Sequence, residues 1–175
     1  NMNMKLKTIK FSVVSILLIL LTQTLVFAQS ATKFSQVEFN AETLSERGKF
    51  SFETLMKTKT FTLSGFGAAA APHLATRALA DLLKEKSAEK ALQFLVRNAT
   101  LEGQIYGLLG LQVINNKQFK ADFAVFKILP IQKDEISSSN GGCMAETTFL
   151  KRANIIKDLE TGVFDKRFRY TFGIK

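Results

Sequence analysis

The sequence has one cysteine, one histidine, two prolines and no tryptophan among its 175 residues. A single thiol excludes an intramolecular disulfide. One histidine and one cysteine cannot supply the usual ligand set of a zinc site. Because tryptophan is absent, sixteen phenylalanines provide most of the aromatic surface available to a hydrophobic core. The stability of the protein must therefore come from side-chain packing.

Residues 1–28 have the pattern of an export signal. Three lysines precede an apolar run over 11–21, and residues 26–28 supply the small side chains of a cleavage site. The polar residues 22–24 end the apolar run before it reaches the length of about 20 residues that a membrane anchor needs. We therefore predict a signal peptide over 1–28 and one exported domain over 29–175, located in the periplasm or outside the cell.

The formal net charge is +9, and it falls to +6 when the predicted signal peptide and its three lysines are set aside. A charge of this size favours association with anionic surfaces such as lipid headgroups, cell-wall polymers or nucleic acid, without selecting one of them. Export argues against a cytosolic nucleic-acid partner. The expected partner is an unidentified protein or a component of the cell envelope, and a membrane only if the leader is retained.

Apolar residues at three- and four-residue spacing predict a helical core over about 72–130. This core contains four predicted helices, over 72–86, 87–98, 100–113 and 119–129. Because short connections join them, we expect the helices to form two antiparallel HEAT-like hairpins that stack on one another. The predicted fold class is mainly α (α+β), with short strands on either side of the helical core.

The third predicted helix has two specific features. Thr100 is its expected N-cap, because a threonine side chain accepts a hydrogen bond from a backbone amide of the first turn. Gly103, Gly107 and Gly110 form a stripe along it, although each glycine costs about 1 kcal/mol relative to alanine inside a helix. A neighbouring helix is therefore expected to approach closely along this stripe.

Alternation of polar and apolar residues predicts strands towards both ends of the domain. One or two strands are expected within 50–66, and a short helix over 53–58 is left open as the alternative because the alternation fails there. Another amphipathic strand is expected over 164–174. Residues 133–140 are predicted to be a polar loop, and 147–159 a short helix followed by a glycine stop signal.

Residues 99–111, ATLEGQIYGLLGL, open the third helix with an Ala-Thr, a Gly-Gln and a Tyr that is followed by Leu and Gly-Leu. This segment resembles one in a group of uncharacterised exported bacterial proteins. The glycine-containing segment 64–67 and the pair Gly142-Cys143 are similar to features of the same group. The resemblance covers roughly 61–159 and implies an exported bacterial helical protein. It brings no catalytic residues.

Cys143 and His73 are the candidates for catalysis, because a histidine beside a thiol can activate it as a nucleophile. The alternative is that Cys143 packs as a small apolar residue and that His73 is an exposed residue in the first turn of a helix. Tyr106 is a candidate for recognition of a partner on a concave helical face. Its alternative is a core position with the hydroxyl bonded to the backbone.

No cofactor or metal site is predicted. The acidic residues over 134–146 lack the spacing of a calcium-binding loop, and Glu102, Glu146 and Glu160 cannot be paired for glycoside chemistry without their positions in space. The basic and aromatic residues of 166–175 have the composition of a site for single-stranded nucleic acid. Their alternation places rings and charges on opposite faces of the expected strand, so no nucleic-acid partner is predicted.

These observations favour an exported interaction or structural protein without catalytic activity. The first alternative is a thiol-dependent enzyme or redox protein that uses Cys143. The second alternative is a membrane-tethered module whose leader is not cleaved. The absence of a recognisable set of catalytic or cofactor-binding residues in the sequence weighs against an enzyme.

Overall fold

In a computed structural model of the chain, the structure describes residues 34–63, 72–130, 134–140 and 146–175. Residues Ser35–Lys175 form one compact unit. The predicted signal peptide and Cys143 both lie outside the described residues, so the statements made about them above stay predictions.

The described part of the chain is mainly α-helical with a small antiparallel sheet, which confirms the predicted fold class. None of the described helices is long and apolar enough to cross a membrane. The elements in chain order are a 3₁₀ helix Ala41–Thr43, α1 Glu46–Lys57, α2 Leu74–Leu82, α3 Ala88–Asn98, α4 Leu101–Ile114, α5 Asn116–Ile128, β1 Glu135–Asn140, β2 Glu146–Lys151, α6 Arg152–Glu160 and α7 Val163–Phe172.

Helix α4 lies at the centre of the fold. Its N-cap is Thr100, whose hydroxyl accepts a hydrogen bond from the Gly103 amide at 3.2 Å, as the sequence predicts. Helices α1, α2, α3, α5 and α7 and strand β1 all contact it. Because α4 is covered from several sides, it carries buried apolar residues around most of its circumference and not along a single stripe.

The glycine stripe of α4 is a close-packing surface, as predicted. A Cβ atom added at Gly107 would lie 2.9 Å from Val96 Cγ2, and one at Gly110 would lie 2.4 Å from Leu92 Cδ2. Both neighbours belong to α3, and their order along the chain is reversed relative to the glycines. Helices α3 and α4 are therefore antiparallel, and the missing side chains of α4 allow their close approach.

The predicted contact between α4 and α5 is present, but α2 and α3 do not form the other predicted hairpin. Helix α2 packs mainly on α1 and not on the following helix α3. The Arg47 guanidinium near the start of α1 forms an ion pair of 2.8 Å with Asp81 near the end of α2. Helix α3 packs on α4. Helix α2 therefore pairs with α1, a helix whose full extent the alternating residues around 50–52 conceal.

The strand prediction is wrong for the described part of 50–66, because Glu46–Lys57 is a helix. Ser45 caps it, and its hydroxyl accepts a hydrogen bond from the Gly48 amide at 3.1 Å. Phe52 is buried in the core whereas Phe50 is 62% exposed, so the two aromatic residues lie on different faces of a helix. The alternative of a short helix over 53–58 comes closer. Residues 58–63 have no regular secondary structure. Residues 64–66 lie outside the described residues.

The strand predicted over 164–174 is also wrong, because Val163–Phe172 is a helix. Phe164 and Phe168 are four residues apart and both buried, and the Phe168 and Phe172 ring centroids lie 4.8 Å apart. Aromatic residues at this spacing share one helical face. The period-two pattern over 168–172 arose because Tyr170, on the opposite face, is also aromatic.

Two short strands replace the expected loop over 133–140 and the first part of the helix expected over 147–159. They form an antiparallel pair with Ile136 opposite Leu150. Ile136 is fully buried, which anchors the otherwise polar β1 to the core. The helix in this region begins only at Arg152. The helical spacing predicts a helix from residue 147, but residues 146–151 pair with β1 and form a strand instead.

Candidate interaction surface

Tyr106 is a core residue in this structure. Its side chain is fully buried, and its hydroxyl donates to the Thr62 carbonyl at 2.7 Å and accepts from the Thr62 amide at 3.0 Å. The Thr76 hydroxyl donates to the same carbonyl. Burial raises the pKa of Tyr106 to about 12. A recognition role on an exposed face does not fit this position, whereas the alternative of a core tyrosine bonded to the backbone does.

His73 is the N-cap of α2. Its Nδ1 atom accepts a hydrogen bond from the Ala75 amide at 3.3 Å. Desolvation by burial, and secondarily the nearby charge of Arg77, lower the pKa of His73 below its ordinary value. The neutral ring therefore stabilises the helix start. Cys143 lies outside the described residues, so the catalytic pairing of Cys143 with His73 stays a prediction.

The His73 cap predicts a dependence of stability on pH. The lowered pKa means that the folded state binds a proton less readily than the unfolded state, and protonation removes the Nδ1 acceptor. The contribution of His73 is therefore complete above the ordinary pKa of 6.5 and is lost as the pH falls below that value and through the folded-state pKa. We expect urea unfolding at decreasing pH to show this loss.

The matched control for this prediction is His73→Asn, which keeps an N-cap acceptor but does not titrate in this range. As the pH falls from about 7.5 to about 5, the unfolding free energy of the wild type should decrease more than that of this variant. Parallel pH profiles for the two proteins would show that the cap is not the titrating group.

The described residues include no group of three or more histidine, cysteine, aspartate or glutamate side chains placed to hold a metal ion. A groove of about 890 Å³ lies between residues 38–43 and the start of α3. Its lining includes Lys86 and Lys90 but also Glu38 and Glu89. Charges of both signs line this groove, so its electrostatics favour no class of ligand.

The outward side of α7 carries the strongest candidate for a contact surface. Val163, Lys166, Arg167 and Tyr170 are all exposed, and Tyr170 is 91% exposed. At 3.6 residues per turn these four positions fall within an arc of about 100°. Val163 and Tyr170 lie at its centre, and Lys166 and Arg167 lie on either side. We call these four residues the α7 outer face.

The positive charges of the α7 outer face are not neutralised within the described structure. Among the described residues, neither Lys166 nor Arg167 has an ion-pair partner. Asp165 is the single acidic residue of the helix, and it pairs with Arg169 at 2.8 Å on another side. The face therefore presents two cations beside an aromatic ring that is almost fully exposed to solvent.

Contacts on the opposite side of α7 keep the α7 outer face exposed to solvent. Phe164 and Phe168 are buried, and the Phe164 ring lies 5.2 Å from the Phe61 ring, centroid to centroid. The Arg169 guanidinium donates to the Val113 carbonyl at the end of α4 at 2.7 Å. These contacts hold the helix in one rotational position, so the exposure of Tyr170 follows from the packing of the buried side.

Helix α5 provides a useful comparison. Its exposed residues include Lys117, Lys120, Ala121 and Ala124. These four residues provide two cations but no aromatic ring. This surface resembles an ordinary solvated helix face. Helix α7 differs because its tyrosine is almost fully exposed between two cations. Large aromatic side chains are usually at least partly covered in folded proteins.

The alternation of basic and aromatic residues over 166–175 predicts a strand with rings and charges on opposite faces. The helix instead brings Tyr170 onto the same face as Lys166 and Arg167. The signal that could have revealed this is Phe164, which extends the aromatic pattern to a spacing of four residues.

Comparisons with family models, with curated proteins and with solved structures found no match to this chain.

Proposed function

We propose that this chain is an exported interaction protein without catalytic activity, and that it contacts its partner through the α7 outer face. The observation that carries the proposal is the exposure of Tyr170 between Lys166 and Arg167 on a helix whose other side is packed against the core. Exposed aromatic and cationic residues grouped on a rigid element are typical of binding surfaces.

Two of the candidate site residues, His73 for catalysis and Tyr106 for recognition, have structural roles. His73, the base proposed for activation of a thiol, provides a hydrogen-bond acceptor to the start of α2. Tyr106 is enclosed in the core by Thr62 and Phe61. Both residues therefore contribute to stability, so the proposal rests on the exposed residues of the α7 outer face.

Site-specific photocrosslinking in the exporting cell tests this proposal. A crosslinking amino acid at position 170 should form adducts in the envelope fraction, and the same amino acid at position 50 should not. Phe50 is a suitable control because it is 62% exposed but lies on α1. N-terminal sequencing of the adduct should give a start at or near Gln29 if the leader is cleaved.

The variant Lys166→Ala/Arg167→Ala should abolish the adducts at position 170. Equal adduct formation from positions 50 and 170 would contradict a specific contact surface, and so would adducts that persist in the alanine variant. A protein that stays in the cytoplasmic fraction would contradict export.

A further inference from the structure

We infer that the α7 outer face binds the surface of an anionic phospholipid membrane, an inference that rests on the proposed function and names the partner of that same face. The contact is peripheral. It involves the side chains of one surface helix lying along the membrane, while the body of the protein stays outside the bilayer.

The charges of the α7 outer face are complementary to those of an anionic membrane surface. Lys166 and Arg167 are exposed and have no ion-pair partner among the described residues, and the acidic residue of the helix, Asp165, is bound to Arg169 on another side. A surface rich in anionic headgroups attracts such a pair of cations without requiring them to adopt one fixed geometry.

The order of residues across the α7 outer face also fits a membrane surface. Val163 and Tyr170 lie at the centre of the arc and the two cations lie at its edges. Long basic side chains at the edges can bury their methylene groups while their charged ends stay at the headgroups. A tyrosine ring between them suits the same boundary, because its body is apolar and its hydroxyl is polar.

The shape of the face also bears on the choice of partner. Its four residues lie on the outward, convex side of one helix. A specific protein partner usually covers about 800 Å² on each side with complementary packing. A single-stranded nucleic acid usually stacks successive bases on several rings. One ring and two cations on a convex surface fit a fluid, negatively charged plane better than either of these partners.

The tyrosine content of the chain provides a local test. The sequence has two tyrosines and no tryptophan, and Tyr106 is fully buried while Tyr170 is 91% exposed. Acrylamide should therefore quench the emission of Tyr170 selectively, and the Tyr170→Phe variant should lack this quenchable component. The readout therefore reports on the surroundings of position 170.

The experiment uses the full chain with vesicles of phosphatidylglycerol and phosphatidylcholine, and with vesicles of phosphatidylcholine alone. We expect the mixed vesicles to reduce Tyr170 quenching to nearly the level of the Tyr170→Phe variant, and the neutral vesicles to leave it unchanged. Salt at about 1 M should restore quenching, because the Debye length is then about 3 Å.

Matched alanine variants locate the contact. Lys166→Ala/Arg167→Ala should need about thirtyfold more mixed vesicles for half-maximal shielding of Tyr170, because two surface charges are removed. Lys117→Ala/Lys120→Ala removes the same charge from α5 and should change this concentration by less than about threefold. Circular dichroism should show that both variants keep the helical content of the wild type.

Three results would overturn the inference: Tyr170 that stays quenchable on the mixed vesicles, equal shielding by neutral vesicles, or equal losses in the two alanine variants. If position 170 still forms envelope adducts while vesicles give no shielding, the proposed function survives and the lipid inference fails. If both the adducts and the shielding are absent, both proposals fail. Adducts to a protein that persist after lipid extraction would identify a protein partner and overturn the inference.

Discussion

Replacing Asp122 with alanine is expected to destabilise the protein by about 3 to 5 kcal/mol, because the change breaks a buried ion pair. The Arg97 guanidinium donates to both Asp122 oxygens, at 2.9 and 3.2 Å. The two side chains are only 7% and 5% exposed. Arg97 also donates to the Ser35 carbonyl at 2.6 Å, so the pair connects α3 and α5 to the chain before the first helix.

Urea unfolding followed by circular dichroism measures this effect, and the chain offers a matched control. Lys57 and Glu53 form an ion pair of 3.3 Å whose side chains are 77% and 67% exposed. Lys57→Ala should therefore cost at most about 1 kcal/mol. The double variant Arg97→Met/Asp122→Leu should be more stable than Asp122→Ala, since it buries no charge. Similar losses for Asp122→Ala and Lys57→Ala would contradict this account.

Replacing Gly103 with alanine is expected to destabilise the protein by about 3 kcal/mol, although the same change in an open helix would stabilise it by about 1 kcal/mol. The added Cβ would lie 2.3 Å from the Leu55 carbonyl oxygen and 2.8 Å from the Ala99 Cβ. The Leu55 oxygen belongs to the backbone, so α1 or α4 must shift to relieve the clash. Hydrogen bonds from Thr100 to the end of α1 oppose that shift.

Gly110→Ala is the graded control for this prediction. Its added Cβ would meet the two terminal methyl groups of Leu92, at 2.4 and 2.9 Å, and a flexible side chain relieves a clash more easily than a backbone does. We expect a loss of about 1 kcal/mol in urea unfolding. Equal losses at the two positions, or stabilisation by Gly103→Ala, would show that the start of α4 is not held tightly against α1.

Local signals predicted the middle of the chain well. The apolar residues of 101–113 predict a helix, Thr100 is placed to cap it, and the glycine stripe predicts a close neighbour. Each of these features is decided within one or two turns of chain, so tertiary packing does not reverse it. The fold class followed from the same patterns.

The ends of the domain were predicted less well, because short stretches fit two periodicities. Phe50 and Phe52 alternate with polar residues, as do Phe168, Tyr170 and Phe172, yet both stretches are helical. Over five residues a period of 2 and a period of 3.6 share too many positions to be separated. The hairpin of β1 and β2 depends on pairing between two segments, which neither segment encodes alone.

The sequence by itself determined that this protein is mainly helical, that α4 is capped by Thr100 and packed closely along its glycines, and that one thiol cannot form an internal disulfide. Only the tertiary structure decided which side chains are exposed. It buried Tyr106 and left Tyr170 in solvent, although both are tyrosines on helices. The reason is that burial depends on the neighbours that cover a face, and those neighbours come from distant parts of the chain.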